Sequence, residues 1–85
     1  MEIELRHLRY VIAAAEKRSF RMAAASIGVQ QSAISRRIRD LEDEIGAALF
    51  IRHSSGVTLT QAGEAFVNHA RHALKQVSHA TIYRQ

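Results

Sequence analysis

Apolar residues follow a helical spacing over most of this chain, and glycines interrupt the pattern between successive stretches. A first helix is predicted from about Glu4 to Lys17, where apolar residues recur every three or four positions. Its expected buried stripe consists of Leu5, Leu8, Val11 or Ile12, and Ala15.

Two further helices are predicted to meet at a glycine. Ser19 is a favourable N-cap for a short helix from Phe20 to Ile27, and Gly28 is placed to end that helix. The turn residue Val29 is expected to pack into the core. The next helix is predicted to start at Gln30 or Gln31, and its apolar stripe is Ile34, Ile38, Leu41 and Ile45 before Gly46. This order is typical of a helix-turn-helix, whose second helix enters the major groove of DNA.

After Gly46 the spacing of apolar residues changes from one typical of helices to one typical of strands. Leu49–Arg52 and Val57–Leu59 are predicted to be two short strands, joined as a hairpin by the turn-forming residues 53–56. A two-stranded hairpin is not stable alone, so it must pack on the helices as a wing.

Thr60 is predicted to cap a final helix running from Gln61 to Thr81 or beyond. A helix of about 20 residues spans roughly 30 Å, which is long for so small a domain. Its heptad-like seam consists of Phe66, Ala70, Ala73, Val77 and Ala80. We interpret this seam as a dimerisation surface, the alternative being a frayed terminal helix. Residues 1–60 are thus predicted to form a winged helix-turn-helix domain and residues 61–85 a linker and dimerisation helix.

The composition and the distribution of charge reduce the number of functions to consider. The chain has 85 residues, no cysteine, no proline, a net charge of +4 and a pI near 10.4. Six basic residues and no acidic one occur from Lys17 to Arg39, and four acidic residues follow between Asp40 and Glu44. Such a segregated basic segment favours phosphate binding. The alternative is a solvated surface with helical charge pairs such as Arg36 with Asp40.

Other classes of protein are disfavoured. The absence of cysteine fits a cytoplasmic location and excludes thiolate metal sites. No apolar stretch approaches the ~20 residues of a membrane span, so no membrane association is expected. Metal binding is one interpretation of His69, His72 and His79 with Glu64, but surface histidines are the favoured interpretation. A small helical chain offers little concave volume for catalysis, so we predict no enzyme activity, no metal and no cofactor.

The helix predicted from Gln31 to Ile45 has a polar face suited to a DNA groove. At about 100° per residue, Ser32, Ser35, Arg36 and Arg39 lie opposite the apolar stripe. Arginine pairs with guanine or phosphate, serine with bases or phosphates, and Gln31 can read adenine. Asp43, one turn further, would repel phosphate, so DNA contact is expected to stop before it.

Four blocks of sequence together resemble the N-terminal DNA-binding domain of LysR-type transcriptional regulators. They are Phe20–Ala25, Val29–Glu42, Leu49–Arg52 and Leu59–Gly63, and their order and spacing cover most of the chain. The resemblance implies a mainly helical winged helix-turn-helix with a small β-hairpin and a long C-terminal linker helix that pairs with a second subunit. It also implies cytoplasmic activators or repressors that bind interrupted palindromes in double-stranded DNA.

The resemblance further implies roles for individual residues. The base-contacting residues would be Gln31, Ser32, Ser35 and Arg36. Contacts to the DNA backbone or through the wing would come from Ser19, Arg37, Arg39, Arg52, His53 and Thr60. A small-molecule effector would act only through a C-terminal domain that this chain does not include.

The chain departs from the family pattern at three positions. Gln30 stands where a serine usually caps the recognition helix, and Ser32 stands where proline is frequent. Ser55 lies near a wing-tip position that usually carries arginine, so either the wing lacks this readout or its contacts pass to His53 and main-chain groups. The main alternative function is a helical interaction module whose basic face meets an acidic protein.

Overall fold

The structure, a computed structural model, describes residues 3–83, with side chains as far as Ala80. Its elements are α1 (Leu5–Lys17), α2 (Phe20–Ile27), α3 (Gln31–Ile45), β1 (Phe50–His53), β2 (Gly56–Leu59) and α4 (Gln61–Tyr83). The prediction of a mainly helical winged helix-turn-helix with a small hairpin is confirmed. Of the predicted domain ranges, residues 1, 2, 84 and 85 lie outside the described part.

Local chemistry sets the ends of the helices. The Ser19 hydroxyl oxygen accepts a hydrogen bond from the Met22 backbone N–H at 3.1 Å, so the predicted N-cap of α2 is confirmed. Gly28 and Gly46 follow α2 and α3 with φ of 86° and 80°, the left-handed conformation expected of glycine at a helix end. Gln30 makes no side-chain cap hydrogen bond, and α3 begins at Gln31.

The helix-turn-helix packs around the apolar side of α3. Ile34, Ile38 and Leu41 are each at most 1% exposed, which confirms three members of the predicted stripe. The fourth was wrong: Ile45 is 42% exposed, because it ends the helix where the chain turns away at Gly46. Val29 is partly buried against this core, as predicted.

The buried side of α1 differs from the predicted stripe. The residues that α1 buries are His7, Val11 and Ala14, whereas Leu5 is 45% exposed. The prediction followed the large apolar residues and did not include His7. His7 instead accepts a hydrogen bond at Nδ1 from the Glu4 backbone N–H at 3.1 Å, which forms part of the N-terminal cap of α1.

The wing is a tight antiparallel hairpin in which Phe50 pairs with Leu59 and His53 pairs with Gly56. β1 begins and ends one residue later than predicted, and β2 begins one residue earlier and ends at Leu59 as predicted, so only Ser54 and Ser55 form the turn. Gly56 has φ of 141°, and a Cβ there would collide with the Arg18 carbonyl oxygen. The Val57 N–H donates to that same oxygen at 3.1 Å, which joins the wing to the end of α1.

The final helix begins against the wing and then leaves the core. Gly63, Val67 and Ala70 are buried, while the side chains from Lys75 to Ala80 are exposed. A Cβ at Gly63 would collide with the Leu49 carbonyl oxygen, so glycine is required for α4 to approach the residue that precedes β1. In the part of the chain that the structure describes, no helix is long and apolar enough to cross a bilayer.

Candidate nucleic-acid interface

The polar side of α3 faces solvent over its first three turns. Gln31, Ser32 and Arg36 are exposed, and Ser35 is half-buried at the edge of this face. The predicted base-contacting residues therefore share one accessible face, opposite buried Ile34. Serine, glutamine and arginine together offer donors and acceptors for base edges.

The cations of α3 form no ion pair among the residues that the structure describes. Arg36, Arg37 and Arg39 are exposed, and none of them forms an ion pair with another of the residues that the structure describes. The predicted alternative of an Arg36–Asp40 pair is therefore absent among them. Acidic side chains instead cluster beside Arg37 at the far end of α3, on a surface lined by Asp40, Asp43 and Glu44. Positive charge thus lies toward the N-terminus of α3 and negative charge toward its C-terminus.

A groove of about 240 Å³ runs between the start of α2, the start of α3 and the wing. Its lining is Ser19, Phe20, Arg21, Gln31, Arg52, His53, Ser54, Gly56 and Val57, with no carboxylate among them. The groove therefore brings the predicted backbone or wing residues Ser19, Arg52 and His53 together with the predicted base-contacting residue Gln31. Arg21 was not predicted as a contact, although it belongs to the basic segment that the sequence revealed.

Arg52 is held against the domain surface by contacts with side chains of two helices. Its guanidinium carbon lies 4.8 Å from the centroid of the Phe20 ring, and its Nη2 lies 3.5 Å from Glu42 Oε1. The Phe20 ring in turn meets Phe50 edge-on, with 5.4 Å between centroids. Arg52 therefore joins α2, α3 and the wing, while its side chain remains 39% exposed.

Glu42 is a positioning residue that the sequence did not reveal. Its Oε2 accepts hydrogen bonds from the backbone N–H groups of Leu49 at 2.7 Å and Phe50 at 3.2 Å. These bonds join α3 to the start of β1 and so set where the wing lies relative to the recognition helix. No local pattern identifies them, because the partners are backbone atoms of a separate element.

The other residues predicted to contact the DNA backbone differ in whether their polar side-chain atoms already form hydrogen bonds within the domain. His53 is exposed at the end of β1, with its Nδ1 3.0 Å from Ser55 Oγ. The Thr60 hydroxyl donates to the Ala48 carbonyl at 2.6 Å and accepts from the Gly63 N–H at 2.9 Å. Thr60 is therefore the cap of α4, as predicted, and its hydroxyl hydrogen is already engaged. By contrast, the Ser19 hydroxyl uses only an acceptor site in the part of the chain described.

The predicted dimer seam on α4 divides into two parts. Phe66 is half-buried and Ala70 is 3% exposed, both packed within the chain, and Val67 beside them joins the core without having been predicted. Ala73, Val77 and Ala80 are exposed. Among the five seam residues, only this outer part leaves an apolar surface for a second chain.

The histidines of α4 do not form a metal centre with other described residues. No group of three or more histidine, cysteine or carboxylate side chains in residues 3–83 is placed to hold a metal ion. His72 Nε2 instead lies 3.5 Å from the amide nitrogen of Gln76, one helical turn away.

Known proteins resemble this chain throughout the winged helix-turn-helix. HTH-type transcriptional regulator BudR of Klebsiella aerogenes is 48% identical over 68 residues, which are 80% of this chain and 48% of BudR. AlsR of Bacillus subtilis is 47% identical over 75 residues, covering 88% of this chain and 25% of AlsR. The chain thus spans half or less of the length of these curated relatives.

Solved structures show the same arrangement in three dimensions. The BenM_DBD/catB site 1 DNA complex superposes with a TM-score of 0.92 and 38% identity, over 96% of this chain and 92% of that one. The family model described as bacterial regulatory helix-turn-helix protein, lysR family, matches residues 5–64. This chain therefore belongs to the lysR family of bacterial regulatory helix-turn-helix proteins.

Proposed function

We propose that this chain binds double-stranded DNA sequence-specifically as the DNA-binding part of a transcriptional regulator. The observation that carries the proposal is the exposed face of α3, whose cations form no ion pair with other described residues and whose apolar side anchors the helix in the core. The presence of DNA in the complex of the similar BenM domain supports the same function. This function requires no chemistry on a substrate, so we propose no enzyme activity. We place the chain in the cytoplasm because the DNA that a bacterial regulator binds lies there.

In the proposed complex, α3 lies in the major groove and the wing beside the minor groove. Gln31, Ser32, Ser35 and Arg36 read base edges. Arg37 and Arg39 flank them and bind the backbone, while Ser19 donates its free hydroxyl hydrogen to a phosphate. Arg52 acts mainly by holding the wing against α2 and α3.

We further propose that the chain binds as a homodimer, with residues 1–60 as the DNA-binding domain and residues 61–85 as the linker helix. Ala73, Val77 and Ala80 supply the apolar surface of the dimer. A symmetric dimer presents two recognition helices, which matches two half-sites separated by about one helical turn of DNA, or a multiple of it.

Selection of bound sites from random duplexes tests the proposal. Arg36→Ala is expected to lose about 1–3 kcal/mol of binding free energy and to relax base preference at the positions it contacts. Lys75→Ala is the matched control, because it removes the same charge from an exposed position on α4. Arg52→Ala is expected to weaken all sequences about equally.

Two outcomes would contradict the proposal. If Arg36→Ala binds with unchanged site preference, the base-reading role of α3 is wrong as assigned. If the folded chain shows little duplex affinity even at low salt, where counterion release makes DNA binding strongest, an acidic protein partner becomes the better explanation.

A further inference from the structure

The wing tip carries a single side chain able to change its charge. From His53 to Leu59 the hairpin contains no lysine, arginine, aspartate or glutamate. Imidazole is the side chain whose charge ordinarily changes between about pH 5 and 8. The charge of the tip therefore depends on His53 alone.

The structure holds the ring of His53 in a useful orientation. With Nδ1 3.0 Å from Ser55 Oγ, a neutral ring that accepts the Ser55 hydroxyl hydrogen carries its own hydrogen on Nε2. In the charged ring, Nδ1 donates to the same oxygen and Nε2 keeps its hydrogen. The exposed Nε2–H is thus a donor in both states, and protonation adds a positive charge without reorienting the ring.

The surroundings of His53 suit an anion. Its groove brings it together with Ser19, Arg21 and Gln31, and no carboxylate lines that groove among the residues described. The charged residues that line the groove with it are Arg21 from α2 and Arg52 from its own strand, and Arg52 is also paired with Glu42 of α3 at 3.5 Å. A phosphate entering this groove would meet cations from two elements, and its negative charge would favour the protonated imidazole.

We propose that His53 is a pH-dependent phosphate contact, through which mild acid strengthens binding of the wing to the DNA backbone. The inference rests on the proposed function, since the phosphate is that of the bound duplex. Binding then takes up a proton at each wing, and the affinity of the wild-type chain rises as the pH falls. An exposed ion pair of ordinary strength corresponds to a gain of roughly 2- to 5-fold per wing.

The test measures Kd for a selected duplex by fluorescence anisotropy at about pH 8 and about pH 6, over a range of salt concentrations. The wild-type chain is expected to bind more tightly at the lower pH. Its log K against log salt slope should steepen by about 0.9 for each phosphate newly neutralised. Calorimetry in buffers of different ionisation enthalpy should detect the accompanying proton uptake.

Three variants assign the effect to one residue. His53→Gln keeps a hydrogen-bond donor but cannot be charged, so its affinities at the two pH values should have a ratio near one. His53→Arg carries the charge permanently, so it should bind tightly at both. His69→Gln is the matched control, because it removes an exposed histidine from α4 outside the groove and should keep the wild-type pH dependence.

The results separate failure of this inference from failure of the proposed function. If His53→Gln still gains affinity in acid, or if His69→Gln loses the gain instead, the assignment to His53 is overturned. The same holds if every form binds the duplex with no dependence on pH. If no form binds duplex at either pH at low salt, both proposals are overturned. His53 is exposed on the turn side of the hairpin, so equal unfolding temperatures of the variants are expected.

Discussion

Replacement of Glu42 by alanine is expected to destabilise the domain by detaching the wing from the recognition helix. The side chain of Glu42 is 13% exposed and accepts from two backbone N–H groups, those of Leu49 and Phe50. Both donors belong to residues buried in the core, so water can replace the lost acceptor only in part. Leaving a buried donor unpaired costs about 1–3 kcal/mol.

The expected loss for two such donors, at the lower part of that range because both bonds are only partly buried, is about 2–4 kcal/mol. A domain of this size loses roughly 4–8 °C of Tm per kcal/mol, so Tm should fall by about 8–32 °C. Glu42→Gln keeps an acceptor oxygen but gives up the charge that strengthens both bonds, so about 1–2 kcal/mol is expected.

Urea unfolding followed by circular dichroism measures these differences. Asp43→Ala is the control, because Asp43 is an exposed carboxylate on the next position of the same helix and should change stability by less than about 0.5 kcal/mol. An equal, small loss for Glu42→Ala and Asp43→Ala would refute the role given to the Glu42 hydrogen bonds.

Two further predictions concern α4. Gly63→Ala should destabilise the domain by about 2 kcal/mol or more, despite the helical preference for alanine, because its Cβ would meet the Leu49 carbonyl. Gly46→Ala is the control and should lose only about 1 kcal/mol, since a Cβ there has open space but φ is 80°. Denaturant midpoints that show Gly63→Ala to be no less stable than Gly46→Ala would contradict this prediction. Val77→Asp should give monomers in sedimentation while the exposed neighbour Ser78→Asp leaves the dimer intact, and a dimer unaffected by Val77→Asp would reject the proposed seam.

Much of the fold follows from chemistry that is local in sequence. The cap at Ser19 and the glycines that end α2 and α3 act on backbone groups within four residues, so their effect is readable without a structure. The buried stripe of α3 is readable for the same reason, since the helical period alone brings Ile34 and Ile38 to one side. The run of basic residues from Lys17 to Arg39 likewise predicted a positively charged surface from the sequence alone.

Only the tertiary structure decided which residues of each element are covered. Leu5 and Ile45 are exposed and His7 is buried because coverage depends on where neighbouring elements end, and periodicity carries no information about that. The contacts of Glu42 and Arg52 arise for a related reason. They join elements that are separate in sequence, so no local spacing encodes them. The helical period selects a face, but the packing of the other elements determines how much of that face meets protein and how much meets solvent.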